Sequence, residues 1–555
     1  MTEVPKKGWN RRLALGGAGV AALGIGGYFA VHGSKGAPRR TPLDPVTFYR
    51  GNAAEPESLD PSLAQGVQED SIIGDLMVGL MTADAGARPI PGMAQSWTTA
   101  SDGLTWTFKL RDALWSDGVP VTAEDFVFSW RRIVDPKTAA PYAYFLNDIK
   151  NAKLVNAGKL PLTALGVQAL DSHTLEIVFE HPVPYLLEML MHMTMVPEPR
   201  HVIEAKGKNW SKPGNYVGNG PFILSEWIPN DHITAIKNPN FYDAGKVTLE
   251  RVVYYPTDDY GAALQRLRAG QLDTQDRLPG EQIDWIRANI PEMIDPVPQL
   301  IIDFVTVNQK RKPFDDIRVR TAMNLAINRE AIAQKITRTG YVPAYNLVPP
   351  GTANFPGGNA FSFRNMNPGQ RIAQGQALMR QAGFGPDKRV EATYMIRATT
   401  AGTYRAVAAA LQQMFALVYI DISITPNDMA IFYDGIQAHD FDIAQPGWSA
   451  DFNDASNFLD IFRRGGGNNW GQYENPAYDA LLDAAQQDSD IVSRGRNLAQ
   501  AEEFLLKDQA FMPLFFWVSG NLVRPYVKGW SANNLDEHRS RWISFDQHAR
   551  AALFT

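Results

Sequence analysis

The sequence predicts a mixed α/β protein of several domains, and three observations carry that prediction. The chain has 555 residues, and at ~150 residues per domain that is three to four cores rather than one. Short strand-like segments dominate residues 44–200, while longer helical segments appear from residue 314 onward. No internal repeat of solenoid length interrupts this pattern.

Each element has a local reason. Thr105–Leu110 (TWTFKL) alternates as a half-buried strand does, and Ser116-Asp117-Gly118 supplies a turn. Thr122 can cap the helix that continues through Phe126 to Val134, with Glu124 and Asp125 suited to the positive end of its dipole. Thr174–Phe179 is a second strand, and Gly220–Leu224 opens another. Later helices are expected over Ile317–Thr337, Gly369–Ala382, Thr403–Leu417, Tyr478–Gln487 and Ser493–Asp508. Leu300–Asn308 (LIIDFVTVN) is apolar and β-rich, as a crossing between lobes would be.

Composition excludes several function classes. Apolar residues make up 45% and charged residues 20%, a globular balance. The formal charge of −6 disfavours a nucleic-acid-coating protein. Cysteine is absent, which removes disulfides, thiolate metal sites, a cysteine nucleophile and a lipidated cysteine. Nine histidines include no pair at helical metal-ligand spacing, so no metal and no cofactor is expected.

Residues 1–40 read as a targeting segment. Lys6, Lys7, Arg11 and Arg12 precede an apolar, glycine-rich run from Leu13 to Val31. Asn10-Arg11-Arg12-Leu13 resembles a twin-arginine signal. A Sec signal remains an alternative, and a run of about 19 residues also suffices for an uncleaved anchor. The body is therefore expected to be exported to the periplasm. Loss of residues 1–36 would take its formal charge to −10.

Chemical motifs mostly fail on inspection. Asp451-Phe452-Asn453-Asp454-Ala455-Ser456 lacks the turn glycine and bidentate acid of a calcium loop. Gly465-Gly466-Gly467-Asn468-Asn469 lacks the Lys-Ser/Thr of a phosphate loop. Met189, Met191, Met193 and Met195 around His192 alternate as a strand face would; they read as core, with a copper(I) set as the weaker reading. No nucleophile, base and orienting group assemble.

Several segments read together are more specific. Glu55-Pro56-Glu57-Ser58-Leu59-Asp60-Pro61, Pro91-Gly92-Met93-Ala94-Gln95-Ser96-Trp97 and Trp115-Ser116-Asp117-Gly118 through Phe126 occur in order. So do Thr138–Tyr142, Asn219–Phe222, Lys237–Tyr242, Pro313–Arg320, Gly447–Phe452 and Tyr526–Gly529. Over about residues 46–530 this series resembles the family 5 solute-binding proteins, the extracytoplasmic oligopeptide and dipeptide receptors of ABC importers.

The resemblance implies an α/β, two-lobed periplasmic-binding-protein fold (type II, cluster C) with an additional third domain. Lobe I would gather residues 41–77, 202–303 and 519–555; the extra domain would be 78–201; lobe II would be 304–518. Two crossings near Phe304 and Ser519 would form a hinge. The implied function is a receptor, not an enzyme. It would capture an oligopeptide by added-strand pairing, close, and deliver it as a monomer to the transmembrane subunits of a permease.

The same resemblance places the site. Gly447, Trp448 and Ser449 match a ligand-pairing segment, and Asp451 matches the acid that pairs with a peptide α-ammonium. Gln65, Gly66 and Val67 match the opposing backbone-pairing strand, and Tyr142 a cleft aromatic. Asp451 read simply as a loop cap, and Trp448 as core, are the plainer alternatives. Gln445 and Thr403 stand where long-peptide receptors carry a basic residue and a histidine, with Arg397 and Arg405 nearby. The segment Asp273–Pro279 is about one residue short. The far end of the ligand thus lacks its familiar anchors. Other readings are a receptor for a sugar, opine or metal chelate, and, less well supported, a hydrolase using Asp451 and Asp454.

Overall fold

A computed structural model describes residues 44–398 and 403–553. The targeting segment of residues 1–40 lies outside the described residues. Three sheets organise the chain. The first runs in the order Leu522–Val523, Thr274–Gln275, Thr47–Gly51, Arg251–Tyr255, His232–Lys237, Phe222–Ile228. The second runs Val342–Pro343, Met512–Val518, Pro298–Val307, Ile443–Ala444, Val390–Arg397, Ile420–Asn427. A four-stranded antiparallel sheet joins Ala94–Thr99, Thr105–Leu110, Thr174–Val178 and Val167–Asp171.

The cores follow the sheets. One continuous apolar cluster runs from Phe48 and Tyr254 under the first sheet to Phe108 and Trp130 under the antiparallel sheet. These two sheets therefore pack as one body. The second sheet is covered on both faces: Phe304 and Phe511 belong to one cluster, Val305 and Met512 to another. Alternate residues of one strand point to opposite faces, so the run Pro298–Val307 is apolar almost throughout.

The chain passes between the two bodies at adjacent points. Ser519 N–H donates to Val297 O at 2.7 Å, and Val297 N–H to Ser519 Oγ at 3.1 Å. Phe304 lies inside the second sheet rather than at a crossing, because Pro298–Val307 pairs with Met512–Val518 along its length. Two extended segments tied side by side can bend together but resist twisting apart.

Local signals explain most elements. Thr122 and Asp125 form a capping box over Ala123–Val134. Asn475 and Asp490 cap Pro476–Gln487 and Ile491–Lys507. The helix expected over Ile317–Thr337 is broken instead into Ile317–Ala326, Arg329–Ala331 and a π-turn at Ile332–Thr337. Asn328 caps the second piece by accepting from Ala331 N–H. Arg329, fully buried, donates to Pro513 O, Asn324 O and Asn324 Oδ1 and lies over the Tyr345 ring. The methionine stretch is likewise no strand. Met189 ends a helical turn and Met193–Met195 form a 3-10 turn, with all four methionines buried in the shared core. His192 Nδ1 accepts from Thr194 N–H, which occupies one nitrogen of the imagined copper set.

Replacing Arg329 with Leu should destabilise the body around the second sheet by about 3 kcal/mol, because three buried acceptors lose their donor. An earlier first transition in urea is the expected readout.

Candidate functional site

The site begins with a strand that has only one neighbour. Gly447–Ser449 pairs antiparallel with Ile301–Asp303, in register Ser449↔Ile301 and Gly447↔Asp303. Its predecessor Ile443–Ala444 is sandwiched by pairing with Val390–Arg397 as well. Gln445-Pro446 interrupts the two, and Pro446 has no N–H to give. Beyond the interruption no described strand pairs with the outer edge of Gly447–Ser449. Phe304 N–H donates to Pro446 O and Ala450 N–H to Leu300 O. The alternation of an antiparallel ladder therefore turns the backbone groups of Gly447 and Ser449 outward. This is an unfilled sheet edge facing the gap between the two bodies.

Asp451 stands at the end of that edge. The Oη groups of Tyr142 and Tyr144, from the body carrying the antiparallel sheet, donate to its two oxygens, each at 3.4 Å. Both contacts are long for O–H···O bonds, so strong acceptor capacity remains. Its own N–H reaches Asn457 Oδ1, which also accepts from Trp448 Nε1 at 2.8 Å. Among the described residues no Lys, Arg or His forms an ion pair with Asp451. Burial pushes its carboxyl up to about 6, only partly offset by hydrogen bonds from Tyr144, Tyr142 and Asn457. A half-buried carboxylate without a cation is an energetic debt that a cationic ligand would relieve.

Next to Asp451 the two bodies touch through aromatic rings. Phe452 stacks on Tyr185 at 5.0 Å and meets Phe145 edge-on at 6.0 Å. His181 lies between Asp148 Oδ1 at 3.1 Å and the Gln486 side-chain amide at 2.7 Å. A cavity of about 280 Å³ opens here, lined by Tyr144, Tyr185, Trp448, Asp451, Phe452 and Arg463 among others.

A strand edge with one neighbour and a carboxylate with no ion-pair partner among the described residues thus stand side by side, and comparison with known proteins gives the family. The pattern of the bacterial extracellular solute-binding proteins, family 5 Middle, matches residues 88–470. The chain belongs to this family. It is 35% identical over 498 residues to the periplasmic oligopeptide-binding protein OppA of Salmonella typhimurium, covering 88% of this chain and 91% of that one. It is equally identical, over 511 residues, to the probable deoxycholate-binding periplasmic protein YgiS of Escherichia coli, covering 90% and 94%. The crystal structure of Haemophilus influenzae OppA in complex with RPPGFSPFR superposes with a TM-score of 0.78 at 32% identity, covering 91% of this chain and all of that one. The fold is thus the two-lobed, type II binding-protein fold with a third domain. The protein is a solute-binding protein of an ABC importer class that transports peptides, not an enzyme.

In this solute-binding protein not every expected site residue meets the others. Asp451, Tyr142, Gly447, Trp448 and Ser449 converge, although Trp448 also packs one side on the second-lobe core near Trp470. Gln65, Gly66 and Val67 do not form a strand. They lead into the helix Val67–Leu76, and Gly66 O accepts from Asp70 N–H. Val67 remains 61% exposed. Gln445 is fully buried and its Oε1 accepts from Tyr394 Oη at 2.7 Å, so it contacts the core rather than the cleft. Thr403 opens the helix Thr403–Ala416 beside Tyr404. Arg397 is committed to Asp303 at 2.7 Å, whose other oxygen accepts from Trp517 Nε1. Asp454, the acid of the hydrolase reading, is held bidentately by Arg494 at 2.7 and 2.8 Å. That pairing removes it from acid–base work.

Sequence reasoning missed Tyr144 and Asn457, which hydrogen-bond Asp451, and Phe452, whose ring meets Tyr185 and Phe145. The Tyr142-Ala143-Tyr144 spacing was the available signal for the first; nothing local marked the other two.

Because its carboxyl titrates near 6 in the fold and 3.8 is its ordinary value, ionised Asp451 opposes folding at neutral pH. Asp451→Asn should therefore stabilise the ligand-free protein by about 1–2 kcal/mol at pH 7.5, after allowance for partial solvation. The gain should shrink as pH falls from 6 toward 4, where the carboxyl becomes protonated. Thermal unfolding of both proteins across that range measures it.

Proposed function

We propose that this protein is an extracytoplasmic receptor for peptides with a free α-amino group, which it captures between its lobes and delivers to the transmembrane subunits of an ABC permease. Lobe I gathers residues 44–77, 202–297 and 519–553; residues 78–201 form the third domain and 298–518 lobe II. The receptor acts as an exported monomer. Among the described residues no helix is long and apolar enough to cross a membrane, and the relatives are periplasmic proteins.

One observation carries the reading: Asp451, without a cation, terminates an unfilled strand edge at the contact between the bodies. An extended peptide added to that edge would bond the N–H and C=O groups of Gly447 and Ser449, whatever its side chains. Its α-ammonium would reach Asp451 and replace two long hydroxyl contacts with a charge-assisted bond. Micromolar affinity needs only ~8 kcal/mol, within reach of several backbone bonds and one such pair. The bile-acid name of YgiS suggests a non-peptide alternative, but an anionic sterol brings no positive group to Asp451. Ordered water around side chains would tolerate sequence variety at small cost.

Isothermal titration with free and N-acetylated peptides tests the reading. Acetylation and Asp451→Ala should each weaken binding by ~2 kcal/mol, about thirtyfold. Equal affinity of free and acetylated peptides would sink the proposal.

The pH dependence has a definite sign. Ammonium binding favours the ionised carboxylate, so affinity should fall about tenfold as pH drops from 7.5 to 5, through the value near 6. Glu188, pushed by burial to about 7, titrates in the same window, and His181, lowered by burial but raised more by its Asp148 hydrogen bond and charge, is also titratable beside the site. Asp451→Asn retains both groups, so any tenfold dependence surviving in that variant would assign the effect to them instead.

A further inference from the structure

The two bodies also meet away from Asp451. Helix Ile283–Asn289 belongs to the first body, where Ile283 and Ile286 pack with Leu264 and Leu522. On its surface Asp284 holds Arg338 of the second body: one guanidinium nitrogen donates to both carboxylate oxygens, at 2.6 and 2.5 Å. Arg287, three residues on, donates to the backbone carbonyl of Arg338 at 3.1 Å. Both ends of the ion pair are solvated, Arg338 with 44% of its side chain exposed and Asp284 with 71%. Alongside, a Cβ placed on Gly280 would stand 3.9 Å from Thr339 Cγ2, an ordinary van der Waals spacing. The contact is therefore polar, wet and easily parted.

An unusual stretch of backbone places Arg338 there. Ile332–Thr337 is a π-turn whose Ile332 and Ala333 are buried in the core of the second body, and Thr337 Oγ1 donates to Ala333 O at 2.8 Å. The turn ends on Arg338 at φ +61°, in the left-handed region where a β-carbon is strained and glycine is the usual occupant. An arginine in that conformation carries a backbone cost that its side-chain contact can offset. Three residues on, Tyr341 stacks on Trp517 at 5.1 Å, and Trp517 Nε1 donates to Asp303, the register partner of Gly447. Arg338 thus stands on the side of the strand edge away from Asp451.

We propose that Asp284, Arg287 and Arg338 form a clasp that makes and breaks with lobe motion, biasing the receptor toward closure through a charge contact the guest does not touch. This rests on movement of the bodies about Val297 and Ser519, not on the chemistry of the guest. A rigid-body rotation there changes the separation of helix Ile283–Asn289 and the π-turn, because each is fixed in the core of a different body. An exposed ion pair adds little to the stability of one rigid body. Across two mobile bodies the same small term shifts the balance between open and closed forms. Because both charges are solvated, salt screens the pair, so the closed population falls as ionic strength rises.

The chain contains no cysteine, so introduced ones can be labelled without competition. Ala288→Cys on the helix and Lys335→Cys on the π-turn, both exposed, place nitroxide labels on either side of the clasp. Pulsed electron paramagnetic resonance of the ligand-free protein should resolve a short and a long separation. The short fraction should fall about twofold between about 20 mM and about 500 mM NaCl. Arg338→Gly, which also relieves the left-handed strain, and Asp284→Asn on the helix surface should each lower that fraction about twofold at low salt and remove its salt dependence. Neither should lower the midpoint of thermal unfolding, because the contact lies outside both cores. A single separation that neither salt nor substitution moves would overturn the proposal, as would a salt response that persists unchanged in both variants. Should one variant fail to fold, the other and the wild-type salt response still decide.

Discussion

A carboxylate held at a seam without a counter-ion is the constraint on which the rest of this structure depends. Asp451 is kept there by neutral donors only, two tyrosine hydroxyls from one body and an asparagine-braced loop from the other. Neutral donors stabilise the charge too little to offset its desolvation, and the raised carboxyl range records the deficit. Asp454 and Asp303 in the same lobe are each held by an arginine. Buried Glu502 is instead satisfied by the N–H groups of Leu347 and Val348 at 3.0 and 2.8 Å, shorter bonds than the two tyrosine contacts of Asp451.

The sheet around Asp451 explains how a receptor can be tolerant and directional together. Edge strands are normally protected against added strands. Here the edge is three residues long and becomes available only where Gln445-Pro446 has detached it from Val390–Arg397. Backbone bonding along it would be blind to side chains, whereas the proposed ammonium bond to Asp451 would fix which end of the guest lies where. Closure then gains from Phe452, whose ring docks on Tyr185 and Phe145 of the facing body immediately beside the charged group. Aromatic pairs of this kind contribute about 1 kcal/mol beyond burial.

Much of this was legible in the sequence because local rules set it. The capping box at Thr122, the alternating strand Thr105–Leu110 and the apolar run around Phe304 follow from neighbours a few residues apart. Asp451 and Tyr142 were named through the family resemblance, and the fold brings them together across 309 residues. What was not legible were choices of partner. Arg397 read as a spare cation, yet Asp303, distant in sequence, claims it. The break in the helix beyond Ala326 was not legible either: Arg329 is shared between Asn324 of the preceding helix and Pro513 O of the strand Met512–Val518, a partner no local pattern announces. Gln65–Val67 read as a strand by analogy, while Gly66 serves as the entry to a helix. Period-two methionines looked like a strand face because alternation alone cannot tell a strand from two short turns packed in one core.

Asp451 also joins two parts of the fold. The acid belongs to the second lobe and its hydroxyl donors to the third domain, which shares its core with the first sheet. A cationic group beside Asp451 would be bonded best where both bodies meet around it, so it would supply differential free energy for closure. A guest without such a group would leave the acid uncompensated and supply little. Closure would then report the leading end of the guest rather than its sequence.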